Sequence, residues 1–160
     1  MSAKGVIFLR ILVLSDSHGD YFTMQKAIKA QPSAEVVVYL GDGYRDFERC
    51  KPLLEGKRIY AVKGNNDDCD YPCNQIITVG GVKIYITHGN SEYVGFSLGK
   101  IIGIARENDC TIALHGHTHV QNETCYDGVR VFCPGAIKSD EYGVIDIIDG
   151  GVICIGIKVK

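Results

Sequence analysis

Along the first part of this chain, short apolar runs end one after another in polar residues and glycine. Ile11–Leu14 runs into Ser15-Asp16-Ser17-His18-Gly19, and Val36–Leu40 runs into Gly41-Asp42-Gly43. Ile59–Val62 runs into Gly64-Asn65-Asn66-Asp67. Apolar runs this short, bounded by turn signals, predict buried strands. Between the first two, residues 21–30 carry helical spacing through Phe22, Ala27, Ile28 and Ala30, and Pro32 closes the segment. A shorter helix is expected over 45–54, with Pro52 limiting its length.

The pattern then changes. Ile76–Val79 and Val82–Thr87 flank Gly80-Gly81, which predicts a hairpin whose second strand ends at His88-Gly89. A helix is predicted over 95–107, with Phe96, Leu98 and Ile101 facing the core. A strand at 111–114 then enters His115-Gly116-His117-Thr118-His119. The remainder reads as strands at 123–126, 129–133, 142–148 and 152–158, turning at Asp127-Gly128 and Asp149-Gly150-Gly151. Tyr60, Tyr85 and Tyr142 fall in strand patterns as core residues. No linker separates the two halves, and 160 residues are few for two cores. The expectation is one α/β domain over 1–160, with two mixed sheets packed face to face and helices outside.

Charge narrows the function. Seventeen basic and 19 acidic side chains give a net charge of −2, without the electrostatic footprint of a general nucleic-acid binder. A small nucleotide is still compatible, because it needs only a local field. No apolar run approaches the ~18–20 residues that cross a bilayer. Lys4 and Val6–Leu14 superficially resemble a secretory leader, but Arg10 interrupts the run and a first strand is the better reading. The seven cysteines are irregularly spaced with no C-x-x-C pair, as expected of free thiols in a reducing cytoplasm. A redox pair of Cys69 and Cys73 is the alternative.

Five polar motifs therefore terminate five strands: Asp16-x-His18, Gly41-Asp42, Gly64-Asn65, His88-Gly89 and Gly116-His117-x-His119. They recur about every 25 residues, roughly one strand-plus-connection unit. In α/β sheets the C-terminal strand ends gather along one edge, where ligands bind. Two carboxylates, four imidazoles and one amide oxygen form a mixed nitrogen and oxygen set without thiolate. Such a set suits manganese, iron, nickel, cobalt or zinc better than magnesium or calcium. Seven side chains exceed the needs of one tetrahedral ion and fit two if one carboxylate bridges. Ions ~3.5–4 Å apart are a known arrangement for phosphoester hydrolysis.

The order D-x-H, G-D, G-N-x-D, T-H-G, G-H-T-H resembles the calcineurin-like metallophosphoesterase superfamily. The short chain resembles its small prokaryotic, YfcE-like phosphodiesterase branch, from Arg10 to about Ala136. The resemblance implies a four-layer αββα sandwich. It implies one divalent ion, manganese first, held by Asp16, His18 and His119, and a second held by Asn65, His88 and His117. Asp42 would bridge them, and a hydroxide shared by the ions would attack a small phosphoester in line. It also brings in the possibility of a homo-oligomer. The alternative within the same fold is a catalytically weak or inactive scaffold like the retromer subunit, which binds protein partners.

Three departures bear on chemistry. Larger members read G-N-H-E, and Asn66 stands where their histidine helps protonate the leaving group. Asn66 and Asp67 are then candidates to support the ligands, Asp67 by orienting His88 or His117. The arginine of G-D-x-x-D-R is not matched, because Arg45 precedes Asp46, and Arg45 reads as a solvated residue at a helix start. Pro134-Gly135-Ala136 lacks the hydroxyl of the branch's P-G-S. His115, next to the last motif, reads as a strand-end packing residue.

Overall fold

The computed structural model describes residues 8–160, so the Lys4–Ile7 part of the first apolar run lies outside the described residues. Ten strands and three helices follow in the order β1 (Phe8–Leu14), α1 (Tyr21–Lys29), β2 (Val36–Tyr39), α2 (Tyr44–Cys50), β3 (Arg58–Ala61), β4 (Asn74–Val79), β5 (Val82–Thr87), α3 (Gly99–Glu107), β6 (Ile112–Leu114), β7 (Asn122–Tyr126), β8 (Val129–Cys133), β9 (Glu141–Ile148) and β10 (Gly151–Lys158). They form two five-stranded sheets, β10-β9-β1-β2-β3 and β4-β5-β6-β8-β7.

Alternation along the strands makes the layers. In β1, Ile11 and Val13 face the second sheet, while Leu12 and Leu14 face α1 and α2. In β5, Ile84 and Ile86 join the core between the sheets, and Tyr85 turns outward to meet Ile101 and Ala105 of α3. A strand buried on both faces needs apolar residues throughout, which is why β1 and β2 read as unbroken runs. The result is the helix–sheet–sheet–helix sandwich expected from the sequence, with Tyr85 and Tyr142 buried and Tyr60 packed at the margin of the inner core.

Parallel pairing sets the direction of the strand ends. β1, β2 and β3 pair in parallel in one sheet, and β5, β6 and β8 pair in parallel in the other. The C-terminal ends of β1, β2, β3, β5 and β6 therefore carry their following loops to one side of the molecule. Asp20 caps α1 by accepting the Thr23 N–H at 3.1 Å, which ends the first of these loops.

Two helices differ from expectation. The predicted 45–54 helix divides into α2 and a 3-10 turn over Lys51–Leu54, because Pro52 has no N–H to continue the ladder. The predicted 95–107 helix begins only at Gly99. Residues 91–96 form turns around Tyr93, whose φ is 54°, and Ser97 Oγ accepts the Gly99 N–H at 3.1 Å. Phe96 is thus outside the helix and 91% exposed, not in the core, whereas Ile101 is buried.

This contrast sets a stability test. Ile84→Ala, at the centre of the inter-sheet core, is expected to cost about 2–5 kcal/mol by urea unfolding. Phe96→Ala is expected to stay within about 0.5 kcal/mol of the parent.

Candidate metal centre

Each motif lies in the loop that follows a strand: Asp16 and His18 after β1, Asp42 after β2, Asn65 after β3, His88 after β5, and His117 and His119 after β6. The turns are sharp. Asp16, His18, Asp42, His117 and His119 all have φ between 44° and 70°, a left-handed backbone that costs non-glycine residues about 1–3 kcal/mol each. Backbone bonds hold them there, among them Asp16 N–H to Gly41 O at 2.9 Å, His18 N–H to Asp42 O at 3.1 Å and Gly116 N–H to His88 O at 2.9 Å. Two glycines allow the loops to close. A Cβ on Gly64 would lie 2.1 Å from Asp42 Oδ1, and one on Gly116 would lie 2.0 Å from Ser15 Oγ.

Two groups of ligand atoms result. Asp16, His18 and His119 each offer an atom within 4.8 Å of the others, and Asp42, His88 and His117 do the same. His119 Nε2 lies 3.2 Å from Asp16 Oδ1 and 3.2 Å from His18 Nε2. His88 Nε2 lies 3.2 Å from Asp42 Oδ2, and His18 Nε2 lies 3.7 Å from the same oxygen, so Asp42 stands between the groups. Asn65 is an exposed residue of the loop that packs on Asp42 through Gly64.

The hydrogen bonds divide each ligand into a held half and a spare half. Asp16 Oδ2 accepts Ser15 Oγ–H at 2.6 Å and the His117 N–H at 3.0 Å, while buried Oδ1 has no donor. His88 Nδ1 donates to the Leu40 carbonyl at 2.7 Å, which leaves the buried Nε2 with a lone pair and no hydrogen-bond partner. Buried polar atoms are rarely left without a partner, and these two are a carboxylate oxygen and an imidazole nitrogen. Burial alone would lower the His88 imidazole, but the Asp42 and Asp16 carboxylates outweigh it and raise its pKa. Burial alone would raise the Asp42 carboxyl, yet the facing His88 and the Asn66 donors hold it below the usual carboxylate range. The first departure favours positive charge on His88 and the second negative charge on Asp42, as two groups 3.2 Å apart impose on each other. The donor set and its two unpartnered atoms fit divalent cations.

The flanking residues take roles that differ in part from expectation. Asn66 holds Asp42 from both ends of its carboxylate, by backbone N–H at 2.8 Å and by Nδ2 at 2.9 Å. None of Asp67's hydrogen bonds goes to His88 or His117. Its carboxylate instead accepts five, from the N–H groups of Asp42, Gly43, Tyr44 and Gly64 and from the Tyr39 hydroxyl, all at 2.8–3.0 Å. It ties the β2 loop to the β3 loop. His115 is buried, with Nδ1 donating to the Gly116 carbonyl at 2.8 Å. Arg45 lines a 480 Å³ cleft with His18, Asp42, Asp46, Asn66 and Asp68, and forms no ion pair among the described residues.

Sequence reasoning missed Asp46. This buried carboxylate accepts Ser17 Oγ–H at 2.5 Å and the Gly19 N–H at 2.9 Å, fixing the loop that bears His18. The available signal was an acidic residue in the first turn of the helix after Gly41-Asp42. The sequence also gave no sign of buried Glu92, which accepts from the Tyr85 and Thr87 hydroxyls beneath the His88 loop. All seven cysteines are unpaired thiols, Cys69 and Cys73 included.

Fold and cluster together define a class, a metal-ligand centre at the strand ends of a double-sheet sandwich. Residues 9–148 match the calcineurin-like phosphoesterase superfamily domain, and the chain belongs to that family. It is 30% identical over 131 residues to the probable metallophosphoesterase YsnB of Bacillus subtilis, covering 81% of this chain and 76% of that one. A predicted phosphoesterase from Streptococcus pneumoniae superposes with a TM-score of 0.79 at 27% identity, over 95% of this chain and 90% of that one. An archaeal phosphodiesterase (TM-score 0.76, 20% identity, 93% and 100% covered) shares the fold. So does the vacuolar protein sorting protein Vps29 of Cryptosporidium parvum (TM-score 0.75, 18% identity, 94% and 98% covered). Among the described residues, no helix is long and apolar enough to cross a membrane.

Asp67→Ala would leave four backbone N–H groups without their carboxylate. The expected loss is about 2–4 kcal/mol in urea unfolding, with Asp67→Asn intermediate because one acceptor oxygen survives.

Proposed function

We propose that this chain is a phosphodiesterase that acts on a small phosphoester with two divalent transition-metal ions, manganese first among them. Asp16, His18 and His119 would hold one ion, and Asn65, His88 and His117 the other, with Asp42 shared. The observation that carries this reading is the pair of buried, unpartnered ligand atoms, Asp16 Oδ1 and His88 Nε2, one in each group. When bound, such ions supply Lewis acidity toward phosphoryl oxygens and lower the pKa of water to near neutrality.

The chain's own residues do the rest. Asn66 fixes both oxygens of Asp42, and Asp16 is fixed through Oδ2, so each carboxylate presents its charge in one orientation. The lone pair of His88 is aimed by its bond to Leu40. Arg45 brings to the cleft a guanidinium with no ion-pair partner among the described residues, where it would offset charge on the phosphoryl group. Asn66 has no proton to give a leaving oxygen at neutral pH, so unless another residue or a bound water supplies one the departing group leaves as an anion.

Turnover of bis-p-nitrophenyl phosphate by the manganese-loaded protein tests the reading. Asp42→Asn is expected to lower kcat by at least 100-fold, and chelation is expected to abolish activity and lower Tm, because cations bind only the folded cluster. Absence of bound metal and of metal-dependent turnover would favour the scaffold alternative, in which the same fold serves protein partners.

The missing acid makes a separate prediction. General acid catalysis contributes about 10²–10⁴-fold, most for poor leaving groups. Rates across a series of aryl and alkyl diesters should therefore fall steeply as the pKa of the leaving alcohol rises. Asn66→His should flatten that slope, and faster hydrolysis of monoesters than of diesters would contradict the role given to Asn66.

A further inference from the structure

A phosphodiester carries two ester arms, and a phosphoryl group at the cluster must direct them to different places. The cleft already described lies on the His18 and Asp42 side and is lined by carboxylates and Arg45. Against the loop after β5 lies another cavity, of about 290 Å³, that shares no lining residue with that cleft. Its walls are the side chains of Val94, Leu98 and Val120, with polar groups from His115, Thr118 and Asn122.

This cavity is built from the same segments as the centre. Thr118 lies between His117 and His119, and His115 begins the same loop. The absence of a side chain at Gly89, next to His88, is what lets the wall close. A Cβ there would sit 2.7 Å from Val94 Cγ2 and 3.3 Å from His115 Cβ. The Val94 N–H donates back to the Gly89 carbonyl at 3.3 Å. Lys100 holds the far end of the loop, donating to the Ser91 carbonyl at 2.9 Å with its ammonium 5.3 Å from the Tyr93 ring centroid.

Of the apolar walls, Val94 belongs to the core beneath α3 and Leu98 packs against it, while Val120 is left to solvent. Val120, 62% exposed, lines it, and Tyr93 and Phe96, 63% and 91% exposed, belong to the same loop as its lining residues Val94 and Gly95. Tyr93 keeps a left-handed backbone there, a strained conformation for an aromatic residue. Apolar walls with a few placed polar groups are the composition of a small-molecule site. Because His115 Nδ1 is committed to the Gly116 carbonyl, Nε2 is left as an acceptor on a ring that lines the cavity.

We propose that this cavity is the subsite for one ester arm of the diester, and that the arm it takes carries a flat aromatic ring, a nucleobase or a phenyl group. The inference rests on the phosphodiesterase reading and adds a substrate class to it. Walls of Val94, Leu98 and Val120 would cover the ring, and Phe96 would lie along its exposed edge.

Three p-nitrophenyl diesters share a leaving group and differ in the retained arm: thymidine 5′-(p-nitrophenyl phosphate), phenyl p-nitrophenyl phosphate and methyl p-nitrophenyl phosphate. The manganese-loaded parent should show kcat/KM at least tenfold higher for the thymidine or phenyl ester than for the methyl ester, within the range one apolar contact provides. Val120→Arg and Phe96→Ala should each reduce that ratio at least threefold, while Leu53→Ala, in the 3-10 turn of the α1–α2 layer, should leave it unchanged. A parent ratio near one, or a ratio unmoved by both cavity variants, overturns the proposal. The thymidine and phenyl arms, compared with each other, say which ring is preferred.

A second measurement separates failure of this subsite from failure of the phosphodiesterase reading. If the parent hydrolyses none of the three, thymidine 5′-phosphate is titrated into the metal-loaded protein and followed by methyl NMR. Shifts at Val94, Leu98 and Val120 that Val120→Arg removes sustain the cavity as a ring-binding site without the hydrolase. No shifts, or shifts only around Tyr44 and Arg45, reject it.

Discussion

Carboxylates that accept backbone N–H groups are the constraint on which this molecule depends. Parallel strands end together, and the loops leaving them bring unsatisfied amides to one place. Asp67 collects four such amides and the Tyr39 hydroxyl, Asp46 ties the first loop to α2, and Asp16 takes the His117 amide with its inner oxygen. These bonds cross between elements far apart in sequence. They over-determine the backbone, and that is how five site residues can persist in a left-handed conformation that none would choose alone.

The same arrangement concentrates negative charge. Asp16 and Asp42 are both buried, and Asp46 lies within the same shell of loops. The chain's formal charge of −2 hides this local imbalance, and among the described residues no lysine or arginine forms an ion pair with Asp16 or Asp42. Burial of carboxylates is tolerated only with compensating donors or cations. Asn66 and the backbone supply some of that compensation, and the cluster of imidazole nitrogens marks where cations would supply the remainder. The fold and the chemistry are thus coupled. The loops that need carboxylates for their amides are also the loops that carry ligands.

Much of this could be read before the structure. Runs such as Ile11–Leu14 and Val36–Leu40 announce strands covered on both faces, and the polar residues after each place the motifs at strand ends. Asp16, His18, Asp42, His88, His117 and His119 do meet in two groups. What stayed hidden was direction. Nothing in Asn66-Asp67 says that one side chain grips Asp42 while the other grips the backbone around it, since both are short polar groups in a turn. Phe96 reads as a core residue because it falls with Leu98 and Ile101 in the apolar stretch of a predicted helix. The left-handed turn at Tyr93 and the late start of α3 put it in solvent instead, and loop geometry of that kind is set by tertiary contacts.

The division of Asp16 and His88 into a bonded half and a spare half has a further meaning. The bonds that fix these side chains use none of the atoms left for a ligand, so the socket is assembled by the polypeptide before anything is placed in it. A socket of that kind is not remade when its occupant is exchanged. Nitrogen and oxygen donors of this kind would rank the first-row divalent ions by the general order of their affinities, with little discrimination of their own. Which ion such a socket would hold would then depend on the cell's supply of metals as much as on the gene that encodes the chain.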